Sequence, residues 1–276
     1  MRKVVSLALA VLFLGYASVF AGGSGNCIEP LKTTTDRYAL GAAFGYNYVG
    51  ARLLDLYNYG NDEKNIHIDA ISQVYGQVPI GLNENMNLTV RVGSSTYDMQ
   101  FRDKDSDEKI SIDVKSGIYA GIALGAQYPW GEVSVGNMGM LDIGYGFNTQ
   151  ANAALNDVKN ITRDNSTLTN EDGTLYTFDG ENSVFITCKY DIEKLKTSLV
   201  PYIGVYQSWI TTGTADSITY TRNKAEVSHD IVGAFDALAF GLLLGMDIDI
   251  TKYATINIEG RFIGETAVTT GATVKF

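Results

Sequence analysis

Residues 266–276 of the chain, TAVTTGATVKF, decide the fold class. Two sets of side chains alternate along this stretch: one contains Thr266, Val268 and Phe276, and the other contains Gly271 and Lys275. Alternation with period two predicts a β-strand whose two faces meet different surroundings. A strand needs roughly 9–11 residues to cross a bilayer at a tilt. The stretch therefore predicts a membrane-spanning strand that ends on an aromatic residue.

The same alternation recurs along the chain and predicts ten strands. In residues 110–127, for example, Ile110, Ile112, Val114, Ile118 and Ile122 are predicted to share one face. The predicted strands are residues 38–52, 66–82, 86–101, 110–127, 141–148, 184–192, 199–210, 240–250, 254–262 and 266–276. Residues 234–246 also fit a buried helix, but the Asp-Ile-Asp-Ile continuation favours the strand.

Short and long connections alternate between these strands, except that the last connection, residues 263–265, is short where a long one would be expected. The short ones are residues 83–85, 129–139, 193–198 and 251–253. The longest are two polar stretches, residues 150–181 and 211–233, which are predicted to be loops. Loops of that length are uncommon in compact domains but common on the outer side of membrane barrels. Eight and twelve strands are the alternatives to ten, because strand boundaries are hard to predict from sequence.

The N-terminal residues have the composition of an export signal. Arg2 and Lys3 precede an apolar run that ends at Ala21, which predicts a signal peptide over residues 1–21. Residues 22–36 are then a short periplasmic leader and residues 37–276 a barrel. Cys27 and Cys188 are the two cysteines, so one disulfide is an open alternative and no cysteine framework exists.

The pattern of residues 266–276, ending on Phe276, resembles the closing strand of bacterial outer-membrane β-barrels. The resemblance implies an all-β fold, a transmembrane antiparallel up-and-down barrel of about ten strands in the cell outer membrane. It also implies two partners, outer-membrane lipid and the assembly machinery that recognises the C-terminal Phe. Backbone groups must be satisfied within the protein when they lie in lipid, which limits spanning structures to helices and closed barrels. A soluble β-sandwich is the alternative.

The charge and the sparse histidines exclude several functions. The net charge is −10, and cleavage after Ala21 would make it −12, which argues against nucleic-acid binding. Two histidines are too few for a histidine-rich metal site, and no cofactor is predicted. Residues 103–108 resemble the start of a calcium loop, but Glu108 and Val114 stand where an EF-hand needs Gly and Glu. Divalent cations are predicted only as weak partners of the acidic loops.

Charged residues on the polar faces of the strands are predicted to line the lumen. Unpaired charge in a narrow barrel is costly, so pairing across strands is expected. The predicted lumen residues are Arg91, Asp113, Lys115, Asp142, Lys189, Asp191, Asp247, Asp249, Glu259, Arg261 and Lys275. Such an interior is either a plugged core or a narrow charged pore.

Three functions follow. The first is a structural or surface-interaction role through the acidic outer loops, without enzymatic activity. The second is a narrow porin for small solutes. The third is an outer-membrane protease that resembles the omptin type, with Asp103 and Asp105 on one loop and His229 and Asp230 on another. The Asp-x-His order of that family is absent, which speaks against the protease.

Overall fold

The computed structural model describes residues 40–50, 52–56, 63–103, 108–134, 140–163, 166–167, 169–192, 195–222, 225–229, 234–235, 239–251 and 253–276. These residues form fifteen β-strands. They are β1 (Gly41–Val49), β2 (Arg52–Leu56), β3 (Glu63–Asn83), β4 (Met86–Asp103), β5 (Lys109–Val114), β6 (Gly117–Ser134), β7 (Met140–Arg163), β8 (Ser166–Thr167), β9 (Thr169–Ile192), β10 (Thr197–Arg222), β11 (Ala225–His229), β12 (Ala234–Phe235), β13 (Ala239–Thr251), β14 (Ala254–Phe262) and β15 (Ala267–Lys275). Among the described residues, no helix has the length and apolar character needed to cross a membrane.

Ten of these strands close into one antiparallel ring. The order around the ring is β1, β3, β4, β6, β7, β9, β10, β13, β14 and β15. The first and last strands pair from Gly41 opposite Lys275 to Val49 opposite Ala267, so this ring has no open edge. The predicted all-β up-and-down barrel of about ten strands is confirmed.

The ring is apolar outside and polar inside. On β13, for example, Leu242 and Leu244 point outwards, whereas Asp247 is fully buried. Exposed aromatic residues flank the outward apolar side chains at both ends: Trp130, Tyr145 and Tyr253 near the tight turns, and Tyr48, Phe178, Phe240 and Phe262 at the other end. An outward apolar band with aromatic girdles is the arrangement of a barrel surrounded by lipid.

Above this band the barrel continues as a narrower structure, which we call the outer cap. It consists of β2, β5, β8, β11 and β12 with the outer ends of β3, β4, β7, β9 and β10. There β12 pairs with both β10 and β2, so the ring closes over the ends of β13, β14 and β15. Its interior buries Arg163, which pairs with Glu108 and donates to the Tyr220 hydroxyl at 3.1 Å. The rest of the interior is an apolar cluster, the cap core, which comprises Val49, Ile66, Ile68, Ile71, Tyr97, Met99, Phe101, Ile110, Ile112, Val114, Val158, Ile161, Leu175, Ile210, Ile218, Tyr220 and Ala267.

The two long loops predicted from the sequence are mostly strand. β7 continues to Arg163 and β9 begins at Thr169, so most of residues 150–181 lies in paired strands. Likewise β10 continues to Arg222 and pairs with β11. The prediction was wrong because these segments are polar on their lumen side and leave the lipid further out, so the apolar–polar alternation disappears there.

Two strands change face along their length. Ile66 and Ile68 point into the cap core, whereas Val74 and Val78, which an unbroken alternation would put on the same face, point to lipid. A register shift between β3 and β4 at Ile68 and Ala70 reverses the alternation. Residues 110–127 behave in the same way: the break at Lys115 and Ser116 separates inward-facing β5 from β6, on which Ile118 and Ile122 face lipid.

Several predicted boundaries also move. The predicted turn at 129–139 is shorter, since β6 runs to Ser134 and β7 starts at Met140, with a bulge between Pro129 and Gly131. The first predicted strand is divided into β1 and β2. Residues 234–235 and 239–251 are strands, as favoured over the helix. The predicted signal peptide, the leader and Cys27 lie outside the described residues, and Cys188 is half-buried with a free thiol.

Candidate functional site: the barrel lumen

The lumen is built as successive layers of hydrogen-bonded polar side chains. At the end with the tight turns, Lys275 Nζ lies 3.4 Å from Asp249 Oδ1, and the Thr255 hydroxyl donates to the same carboxylate. Alternate residues of β13, β14 and β15 carry these groups, because a period of two brings every second side chain inside. This layer forms the floor of the lumen.

The second layer links two carboxylates through an amide and a phenol. Asn257 Nδ2 donates to Asp247 Oδ1 at 2.6 Å and to the Tyr202 hydroxyl oxygen at 3.1 Å. Tyr202 in turn donates to Glu259 Oε2 at 3.0 Å. The Tyr202 ring lies only 2.2 Å from the position that a Cβ on Gly245 would occupy. A side chain larger than hydrogen at Gly245 would therefore displace the ring that joins this layer.

The third layer is centred on Arg261. Its guanidinium pairs with Glu181 and, at 2.9 Å, with Glu265 Oε1, and it lies 5.7 Å from the centre of the Tyr206 ring. Ser208 donates to Glu265 Oε2 at 3.1 Å. One cation thus pairs with two buried carboxylates, one from β9 and one from the connection before β15, which ties distant strands together.

The fourth layer contains Arg91 and the carboxamides around it. Arg91 Nε donates to Gln77 Oε1 at 3.0 Å, Nη1 donates to Gln150, and the guanidinium lies 5.3 Å from the centre of the Tyr75 ring. Gln150 Nε2 continues the network to Glu181 Oε2 at 3.4 Å. Arg91 and Arg261 therefore share a connected polar network.

A fifth layer closes the polar lumen below the cap core. Gln73 Nε2 donates to Asp179 Oδ2 at 3.1 Å, and Asn152 Nδ2 donates to Asp179 Oδ1 at 2.7 Å. Asn47 donates to Gln73. A cavity between this layer and the third has a volume of about 20 Å³, which is enough for about one water molecule. The lumen is therefore filled by side chains at this level.

The cap core above the fifth layer is apolar and tightly buried. Ile66, Ile68, Met99 and Ile112 are inaccessible to solvent. Burial raises the pKa of Tyr97 to about 12. On the outer surface of the cap, Asp98 lies opposite Asp113 and close to Asp69. Partial burial, followed by repulsion from these two carboxylates, raises the pKa of Asp98 above its usual range.

The structure distributes the predicted lumen residues over three environments. Arg91, Asp247, Asp249, Glu259 and Arg261 are buried in the lumen. Lys275 is partly buried. Asp142, Lys189 and Asp191 lie at the mouth, the opening of the lumen next to the tight turns, where they are exposed or half-buried. The prediction for Asp113 and Lys115 was wrong: Asp113 points outwards between the buried Ile112 and Val114, and Lys115 is exposed at the break after β5.

Sequence reasoning missed several lumen residues and the whole cap core. Asp179 and Glu181 were assigned to a predicted loop, and Glu265 to the connection before the last strand. Gln73 and Gln77 do alternate with Val74 and Val78, so their inward direction was visible in the sequence. The cap core was hidden because its isoleucines continue the apolar rows that face lipid further along the same strands.

Two other predicted sites are only partly described. Asp103 ends β4 and His229 ends β11, but their side chains, together with all of Asp105 and Asp230, lie outside the described set. Within the described ranges, no group of three or more His, Cys, Asp or Glu residues is arranged to hold a metal ion. Phe276 is 77% exposed, and its backbone N–H donates to Leu40 O at 2.8 Å.

Solved structures with a similar fold are bacterial outer-membrane proteins of low sequence identity. The outer membrane protease OmpT from Escherichia coli is 10% identical, with 91% of this chain and 100% of OmpT aligned at a TM-score of 0.47. The translocator domain of the autotransporter NalP from Neisseria meningitidis is 9% identical over 86% and 88%, with a TM-score of 0.36. OprG from Pseudomonas aeruginosa is 11% identical over 91% and 99%, with a TM-score of 0.37.

No protein-family model matches the chain, and no curated protein sequence matches it. At these identities, the structural likeness concerns the fold alone. The closed ring, the outward apolar band and the aromatic girdles carry the assignment. The protein is an integral β-barrel of the bacterial outer membrane.

Proposed function

We propose that the protein is a non-conducting barrel that anchors its outer cap at the cell surface, where the cap meets other surface components. The observation that carries this proposal is the cap core, an apolar layer across the barrel axis above a lumen already filled by hydrogen-bonded side chains. Water and ions do not cross an apolar layer readily, because they lose their hydrogen bonds there.

The polar lumen supports the same proposal. Its two arginines engage Glu181, Glu265, Gln77 and Gln150 instead of facing open water. Barrels of about this strand number are usually filled by side chains, whereas open channels generally have more strands. The lumen charges then have a structural role: they hold the strands in register from within.

The test is electrical. The folded protein, with β-rich circular dichroism as the criterion of folding, is inserted into planar bilayers alongside a known open porin. We expect no discrete conductance steps under conditions in which the porin conducts. Reproducible unitary steps that shift in ion selectivity in the Asp247→Asn variant would overturn the proposal in favour of a narrow porin.

The proposal includes two kinds of partner outside the lumen. Divalent cations would allow the acidic exterior, including Asp69, Asp98 and Asp113, to lie near anionic lipid headgroups. Chelation should then loosen the association of the protein with such lipids, and an unchanged association would remove the cations from the proposal. The exposed Phe276 would serve the assembly machinery, and Phe276→Ala should slow membrane insertion in cells.

The proposal does not include catalysis. The support for this absence of catalysis comes from the sequence alone: the residues around His229 lack the Asp-x-His order of the omptin type. Peptide cleavage by the purified protein, with loss of cleavage in His229→Ala, would contradict it.

A further inference from the structure

Three polar side chains form one row on the outer, lipid-facing surface of the barrel. Thr149 of β7 lies opposite Asn182 of β9, and Asn182 lies opposite Gln207 of β10. Their neighbours in sequence, Asn148, Glu181 and Ser208, are buried inside the lumen. Because side chains alternate along a strand, the three residues of this polar row point outwards.

The polar row lies towards the outer end of the apolar band, since Gln207 pairs with Phe240 of the outer girdle, and apolar outward side chains border it on both sides. On the side of the tight turns, at least half of the surface of each of Val184, Ile186 and Val205 is exposed on the outside of the barrel. On the side of the cap, Leu155 and Phe178 are similarly exposed. Lipid chains offer no hydrogen bonds, so polar groups at this depth are costly unless protein groups satisfy them.

The bonds within the row leave part of it unsatisfied. The Thr149 hydroxyl donates to Asn182 Oδ1 at 2.7 Å. Among the described residues, this is the only hydrogen bond of the Asn182 side chain, and the Gln207 side chain makes none. The amide N–H groups of Asn182 and the whole carboxamide of Gln207 are therefore available to a partner within the membrane.

The surroundings of the row suit a close protein contact. Ala151 and Ala153 are the outward residues of β7 between Thr149 and Leu155, so the surface is shallow there. On the other side, the Trp209 ring lies over Gly180, reaching to 2.5 Å from the position that a Cβ would occupy. Small side chains allow the backbones of two membrane segments to approach each other closely.

We propose that the polar row is the centre of an interface with a second copy of this chain. A carboxamide carries both donors and an acceptor, so Asn182 and Gln207 of one copy complement the same residues of another copy across a two-fold axis. Two-fold interfaces require such self-complementary patches. A charged partner would not suit the row, because it bears no charge and lies in an apolar band.

The first test compares self-association of the wild type and two variants in detergent and in bilayers. Asn182→Leu removes the central amide and keeps an outward side chain suited to lipid. We expect its dimer dissociation constant to rise at least tenfold, which corresponds to about 1.4 kcal/mol. Thr270→Val is the matched control, since Thr270 also lies on the outer surface, on β15, away from the row. It should leave dimerisation unchanged.

The second test uses disulfide cross-linking in bilayers and keeps the row intact. In a background with Cys27→Ser and Cys188→Ser, Val184→Cys should form a covalent dimer on oxidation, because Val184 is the next outward residue on β9. Ile258→Cys on β14 should not. A wild-type protein that stays monomeric at every concentration, an unchanged dissociation constant in folded Asn182→Leu, or equal cross-linking at both cysteines would overturn the proposal.

Discussion

At Arg261, a single guanidinium holds two carboxylates inside the membrane part of the barrel. Glu181 and Glu265 approach it from β9 and from the connection before β15. Buried charges of this kind are costly to create but much more costly to leave without a partner. The lumen therefore depends on a few cations, and their removal should matter more than removal of a charge at the mouth.

We predict that Arg261→Met lowers the free energy of unfolding by about 3–5 kcal/mol, the usual loss when one partner of a buried pair is removed. Urea unfolding from lipid vesicles measures this change. Lys189→Met is the control: it removes a half-buried charge at the mouth, and the expected loss is at most about 1 kcal/mol. Combining Arg261→Met with Glu181→Gln and Glu265→Gln should restore most of the stability. Equal losses in the two single variants would contradict the prediction.

Asp98 supplies a pH-dependent prediction on the cap. Its pKa is raised in the folded protein by partial burial and by Asp113 and Asp69, so the charged form opposes folding. This penalty is present above the folded pKa and disappears as the pH falls below the unfolded pKa. Asp98→Asn should therefore stabilise the protein at pH 7 by less than about 1 kcal/mol, because the site is mostly exposed.

The gain from Asp98→Asn should shrink as the pH is lowered through the raised pKa, as thermal unfolding between pH 3 and pH 7 would measure. Asp216→Asn changes another exposed carboxylate on β10 and serves as the control, with no comparable gain expected. A gain from Asp98→Asn that persists at pH 3 would show that the charge of Asp98 is not its cause.

At the scale of strands, the face changes in β3 and between β5 and β6 make the cap core possible. One continuous alternation would send the same apolar row either to lipid or to the interior along its full length. The register shift near Ile68 and the break at Lys115 and Ser116 reverse the direction of the apolar side chains. In the membrane these side chains face lipid, and beyond the reversal they point into the cap.

Cysteine labelling tests this reversal in intact cells. In a cysteine-free background, Ser111→Cys should react with a membrane-impermeant maleimide, because Ser111 faces outwards on the cap. Ile112→Cys should be protected, because Ile112 is fully buried. Ile118→Cys, on the lipid-facing side of β6, should react only with a lipid-soluble reagent. Equal labelling of Ile112→Cys and Ser111→Cys would show that the cap core is not closed.

The strands differ in how far their sequence predicts them. Strands β13, β14 and β15 lie within the apolar band for their whole length, so their alternation gives both their position and their inward residues, such as Asp247 and Glu259. The outer parts of β7, β9 and β10 extend beyond the lipid, so their outward side chains do not face lipid. Asn, Thr and Asp there are typical of loops, although their backbones are paired. Register shifts depend on neighbouring strands, so a single sequence does not reveal them.

At the scale of the whole molecule, the spanning barrel and the outer cap share their longest strands. β7, β9 and β10 each run without interruption from the tight turns into the cap. β9 and β10 pair from Ile192 opposite Thr197 to Thr169 opposite Thr221, with register shifts between Thr214 and Thr221. Opening the cap would break hydrogen bonds in the same ladders that close the barrel, so the two parts are expected to unfold together.

We predict a single cooperative unfolding transition. Trp130 and Trp209 report on the spanning barrel, and a fluorophore on Ser111→Cys, in a background without the native cysteines, reports on the cap. Their urea midpoints should coincide, as required for two-state unfolding. Ile112→Ala, which empties part of the cap core at a cost of about 2–5 kcal/mol, should shift both midpoints equally. Ser111→Ala, its outward neighbour, should shift neither. If the cap fluorophore alone responds to Ile112→Ala, the cap folds independently, and the continuous strands do not couple it to the barrel.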